Sequence, residues 1–174
     1  SHGALSDMQF ESRPYAFELM ELNKHLGKGD CKFPSVLSRI DLNGLEHLRD
    51  AFFEALPPSG TYLNFMDITL LTDHSMKFVG TFCDVLDVNQ CMLLTGASFK
   101  YLPQNLRFLS FEKATEIYDE HIKDLPRGIS YLQIANAKHL TNACGSFFPA
   151  NIETVTITHN ELITEASVPT PPKG

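Results

Sequence analysis

Beside His2, six histidines (His25, His47, His74, His121, His139, His159) and four cysteines (Cys31, Cys83, Cys91, Cys144) are the side chains of this chain best suited to metal or nucleophile chemistry. A zinc centre needs three or four N or S ligands brought to one point, with paired ligands closely spaced. No C-x-x-C pair occurs, and no three histidines share a spacing that would converge. The carboxylates Glu18, Asp41, Asp87 and Glu112 are the remaining acid-base candidates, and a hydrolytic pair needs a defined separation across a pocket. Gly27-Lys28-Gly29 is too short for a phosphate-binding loop. The run Tyr118 to Asp124, YDEHIKD, has the character of a solvated helix face. No catalytic group, metal-ligand set or cofactor is expected from these residues.

What positions them is a repeat. LPQNLRFLSF at 102–111 returns as LPRGISYLQI at 125–134, an offset of 23 residues. Stepped in both directions, the opening position is Phe10, Phe33, Leu56, Val79, Leu102, Leu125 and Phe148, with Pro following in five of the seven units. Seven residues further on come Phe17, Ile40, Leu63, Leu86, Leu109, Leu132 and Val155; nine further on come Leu19, Leu42, Phe65, Val88, Phe111, Ile134 and Ile157. All are apolar, which at a 43% apolar background has a chance of about 10⁻⁸ in a fixed register.

An apolar pair two residues apart is the alternation of a strand with one buried face. The Pro ahead of it stops whatever precedes it. The connecting segments vary: LEHLRDAFFEAL (45–56) and TEIYDEHIKDL (115–125) have helical patterns, while LTNACGSF (140–147) suits 3₁₀ or coil.

Leu106-x-x-Leu109-x-Phe111-x-x-Ala114-x-x-Ile117 and Ile129-x-x-Leu132-x-Ile134-x-x-Ala137-x-x-Leu140 resemble the leucine-rich repeat pattern L-x-x-L-x-L-x-x-N/C-x-x-L, and the Leu-Pro prefix resembles its leucine-proline variants. At the Asn/Cys position the seven units carry Leu22, Leu45, Ile68, Cys91, Ala114, Ala137 and Asn160, so only Cys91 and Asn160 fit. The resemblance implies an α/β leucine-rich repeat solenoid: a curved right-handed stack with a parallel β-sheet on the concave face and short helices or 3₁₀ turns on the convex face. The expected organisation is a tag remnant and lead-in at 1–9, a repeat domain at 10–164 with units starting near 10, 33, 56, 79, 102, 125 and 148, and a Pro-rich tail at 165–174.

The implied concave face has three columns. Ahead of the first buried residue run Ala16, Arg39, Tyr62, Val85, Phe108, Tyr131 and Thr154; within the pair run Glu18, Asp41, Asn64, Asp87, Ser110, Gln133 and Thr156; after it run Met20, Asn43, Met66, Asn89, Glu112, Ala135 and Thr158. Tyr62, Val85, Phe108 and Tyr131 would form an anchor row, and Asp41, Asn64, Asp87 and Gln133 would add hydrogen bonds and charge. Cys83 falls on a core position and Cys91 on the Asn/Cys position, so both are expected to be small buried packing residues.

Net charge of −7 and no evident cluster of Lys and Arg argue against nucleic acid and against an anionic membrane. No apolar run reaches the roughly 20 residues of a spanning helix. Intracellular, cytoplasmic placement is the resulting expectation. The expected function is non-enzymatic recognition of a protein or peptide. The alternative is the substrate-recognition leucine-rich repeat portion of a larger ubiquitin ligase or effector. Strand edges at the ends of the stack are also compatible with homo-oligomers.

Overall fold

The computed structural model of the protein describes residues 38–113 and 115–164. The first repeat, with Glu18, His25, Gly27–Gly29 and Cys31, lies outside the described residues, as does the Pro-rich tail.

Six short strands, β1 (Arg39–Asp41), β2 (Tyr62–Asn64), β3 (Val85–Asp87), β4 (Phe108–Phe111), β5 (Tyr131–Ala135) and β6 (Thr154–Thr158), form one parallel sheet in sequence order. Each residue pairs with the one 23 positions on, as in Leu63↔Leu86 and Leu109↔Leu132. The two apolar columns of the sequence are therefore in register and face inward. Ile40, Leu63, Leu86, Leu109 and Leu132 are buried, as are Leu42, Phe65, Val88, Phe111 and Ile134, while Val155 and Ile157 are partly buried against the same core. Full burial of a Leu contributes roughly 2 kcal/mol, so five aligned rows outweigh the weak propensity of strands only three to five residues long. The Phe53–Phe65 and Phe99–Phe111 rings meet edge to face at 4.8 and 5.7 Å, tying the outer layer to the sheet.

The outer layer is 3₁₀ rather than α over most of its length. The pattern at 45–56 yields one α-helical turn, α1 (Asp50–Phe53). The other units carry 3₁₀ segments: η1 (Asp73–Phe78), η2 (Gly96–Tyr101), η3 (Asp119–Asp124) and η4 (Asn142–Phe147). The helix expected over 115–125 is thus a six-residue 3₁₀ segment. A 3₁₀ helix rises about 2.0 Å per residue against about 1.5 Å for an α-helix, so a short unit covers the required span with fewer residues.

Polar ladders join these segments. The Thr95 N–H and hydroxyl donate to the two carboxylate oxygens of Asp73 at 2.7 and 2.6 Å, and Thr141 does the same with Asp119 at 2.8 and 2.6 Å. Thr72 is held by Asp50 in the same way, and Thr164 N–H donates to Asn142 Oδ1. The Thr95 and Thr141 hydroxyls also accept from Ala97 and Ala143 N–H, capping their own 3₁₀ turns. One rung differs. Gly96 stands where the carboxylate belongs and Tyr118 where the Thr belongs; His121 Nδ1 accepts from Tyr118 N–H at 3.1 Å instead. A Cβ on Gly96 would sit 2.2 Å from that nitrogen, so the missing side chain is what admits the imidazole.

Each strand exit also repeats one backbone conformation. Gly44, Asp67, Gln90, Lys113, Asn136 and His159, 23 residues apart, all have positive φ, from 55° to 79°. Only the first is the residue type that adopts it without cost.

Two outcomes follow. Gly44→Ala, whose new Cβ meets nothing within 4 Å, lowers stability by about 1 kcal/mol through backbone conformation alone, and Lys113→Gly raises it by about 0.5–1 kcal/mol; paired urea melts read both. Gly96→Asp costs about 1–3 kcal/mol because its side chain collides with the His121 ring, and adding His121→Ser recovers most of the loss, because the introduced carboxylate then has room to accept from Tyr118 N–H as Asp73 accepts from Thr95 N–H. An additive double-mutant cycle would refute this compensation.

Candidate binding face

The side of the sheet opposite the core carries the three columns read from the sequence. Arg39, Tyr62, Val85, Phe108, Tyr131 and Thr154 are paired neighbours in one row. Tyr62, Val85 and Phe108 are half-buried, and Tyr131 is 40% exposed. The row divides into two clusters. The Arg39 guanidinium lies 4.3 Å from the Tyr62 ring centre, and Phe108 and Tyr131 meet at 6.4 Å with a tilt of 32°. Val85 is the step between them.

In the middle column Asp41, Asp87 and Gln133 are half-buried, whereas Asn64 and Ser110 are only 8% and 3% exposed. Here the side chains turn back on their own strand exits. Asp41, Asn64 and Asp87 accept through Oδ1 from Asn43, Met66 and Asp87's neighbour two residues on, Asn89, at 3.1, 3.0 and 2.9 Å. The pattern then shifts one column. Asn89 Oδ1 accepts from the Ser110 hydroxyl at 3.0 Å and from Glu112 N–H at 2.7 Å, and the Glu112 carboxylate accepts from Gln90 and Gln133 amides at 3.2 and 3.4 Å. One oxygen of each predicted polar contact residue from Asp41 to Asp87 is therefore already engaged within the sheet.

The face is electronegative in its middle. Burial first, and then the Glu112, Asp41 and Asp67 carboxylates, raise the Asp87 carboxyl above its ordinary range, with the Asn89 N–H acting in opposition.

The thiols sit elsewhere. Cys83 and Cys91 are buried as expected, donating to Val85 and Phe65 carbonyls, and burial pushes both up to about 12. Cys144, which the sequence left in a variable segment, is buried as well and pushed up to about 11. Such thiols carry almost no thiolate at neutral pH. At the position of Cys91 and Asn160 the side chains serve backbone groups of the turn: Cys91 Sγ reaches Phe65 O at 3.1 Å, and the Asn160 amide donates to the Ala137 and Leu140 carbonyls while accepting from Leu162 and Ile163 N–H, both at 2.8 Å. No group of three or more His, Cys, Asp or Glu among the described residues is arranged to hold a metal ion. No helix among them is long and apolar enough to cross a membrane.

Sequence reasoning missed one feature. Lys77, Lys100 and Lys123 recur at the 23-residue interval near the ends of successive 3₁₀ segments, and the fold brings Lys100 and Lys123 beside Arg127. The period was the available signal, overlooked because the three lysines are scattered along the chain. No protein-family model matches this chain, and no curated protein matches it.

Because Asp87 has a raised folded-state pKa, its ionisation opposes folding: the molecule is more stable below that pKa, and stability is lost as pH rises through it. Asp87→Asn, which keeps the oxygen that Asn89 N–H needs, raises Tm by about 1–3 °C at pH 7. The gain shrinks as pH falls toward the ordinary carboxylate range near ~4. Calorimetric melts of both proteins across pH 3.5–8 check it; a pH-independent difference would mean that charge is not its cause.

Proposed function

We propose that this protein is a leucine-rich repeat recognition module without catalytic activity of its own, and that it holds an extended segment of another protein across the open face of its sheet. The observation that carries the reading is the in-register row Arg39–Tyr62–Val85–Phe108–Tyr131 standing beside Asp41, Asp87 and Glu112. Support for the family comes from the 23-residue strand register, the buried apolar pairs and the Cys91 and Asn160 bonds at the Asn/Cys position.

The chemistry of the row defines the partner. Two ring clusters on either side of Val85 offer an extended chain lying across the strands more than one apolar contact, because Tyr62 and Phe108 stand two strands, about 10 Å, apart. The acidic column suits Lys or Arg on that chain. Asn64 stabilises a strand exit more than it reaches outward, so Tyr62, Phe108 and Tyr131 carry the contact, with Asp41, Asp87 and Gln133 beside them.

Phage-displayed extended peptides selected on the repeat are expected to converge on segments combining Lys or Arg with apolar residues. Tyr62→Ala with Phe108→Ala weakens those peptides tenfold or more, about 1.4 kcal/mol, with Tm within a few degrees of the parent. Peptides indifferent to both substitutions would overturn the reading, as would a variant that loses its fold along with its binding.

A further inference from the structure

A second polar surface lies along the rim that precedes β4, β5 and β6, where the Leu-Pro turns stack. There a groove of about 700 Å³ is lined by Lys100, Gln104, Lys123, Arg127 and Asn151, and it continues into a smaller hollow of about 370 Å³ against Phe147. In a chain of net charge −7 this concentration of cations is anomalous. Asp124 is the one carboxylate lining the groove, and among the described residues none of its three cations is within ion-pair distance of an acid.

The cations are positioned. Lys100 Nζ lies 5.0 Å from the Tyr101 ring centre, with Lys77 Nζ at 4.9 Å from the same ring, and Lys123 Nζ lies 5.3 Å from that of Phe147. The Arg127 backbone is clamped by both adjoining units: its N–H donates to Gln104 Oε1 at 3.2 Å, and its carbonyl accepts from the Asn151 amide at 3.3 Å. Ammonium groups held against rings lose less conformational freedom when an anion arrives.

We propose that this rim groove docks an acidic, extended segment of a partner protein, with carboxylates over Lys100, Lys123 and Arg127 and a neighbouring apolar side chain in the hollow beside Phe147. The groove is open and crosses three successive turns, which fits a chain rather than a compact ligand. Nucleic acid is disfavoured because the Tyr101 and Phe147 rings already carry lysines where bases would stack. The site is separate from the sheet face and stands whether or not that face binds peptide.

Fluorescence anisotropy with a labelled Glu/Asp-rich octapeptide ending in Phe tests it. Binding is expected to fall tenfold or more when Glu and Asp are replaced by Gln and Asn in the peptide, and to weaken as salt is raised. Lys123→Glu with Arg127→Gln abolishes it, whereas Lys138→Glu, outside the groove, changes it less than twofold. Three outcomes overturn the proposal: equal loss in Lys138→Glu, preferential binding of a single-stranded oligonucleotide or inorganic phosphate, or no acidic-peptide binding at millimolar concentration. A mass by light scattering that rises with concentration and is lost in the groove variant would assign the surface to a second copy of this chain instead.

Discussion

Parallel pairing at a constant 23-residue step is the constraint from which the rest follows. Because each strand is only three to five residues long, no unit buries enough apolar surface to stand alone, and its core exists only as contact with its neighbours. The same step governs the polar atoms. Many backbone groups left over at one turn are satisfied by the corresponding turn of the adjoining unit: the Asp–Thr rungs span 22 residues, and the Ser38, Thr61, Asp84, Arg107 and Ser130 carbonyls each accept from the following unit. Regularity here is a hydrogen-bonding requirement as much as a packing one.

That requirement explains the tolerance at the strand exits. Asp67, Gln90, Lys113, Asn136 and His159 adopt a backbone conformation that costs about 1 kcal/mol or more for residues with a Cβ. The turn nonetheless keeps its shape, since releasing it would break the next pairing. It also explains the Gly96–Tyr118–His121 exception: the rung could change chemistry only by supplying Tyr118 N–H with another acceptor and clearing room for it.

The sheet was legible in the sequence because its signal is a column of apolar residues, and burial leaves few alternatives at Ile40, Leu63, Leu86, Leu109 and Leu132. The outer layer was less so. Helical periodicity at 115–125 is genuine, but Asp119 is drawn into its rung with Thr141 and Pro126 ends the segment, leaving six residues between. Positive φ was hidden because five of its six positions carry residues with no turn signature in common. On the face, side-chain identity was readable while side-chain commitment was not: that Asp41, Asn64 and Asp87 fold back onto Asn43, Met66 and Asn89 depends on strand-exit geometry no spacing reveals. The rim cations were invisible to a search for runs of charge, since Lys100, Lys123 and Arg127 meet only once the units stack.

Rings on a sheet surface need no partner to be useful, since cross-strand contacts between them contribute about 0.2–1 kcal/mol each. Phe108 against Tyr131 and Arg39 over Tyr62 already collect that gain. Val85 belongs to the same account, since it is registered against Tyr62 and Phe108 and aromatic with β-branched neighbours is itself a favourable cross-strand pairing. Two residues along the same strand stands Asp87, half-buried and held above the ordinary carboxyl range chiefly by that burial, so the row that stabilises the sheet runs beside a carboxylate whose charge does not.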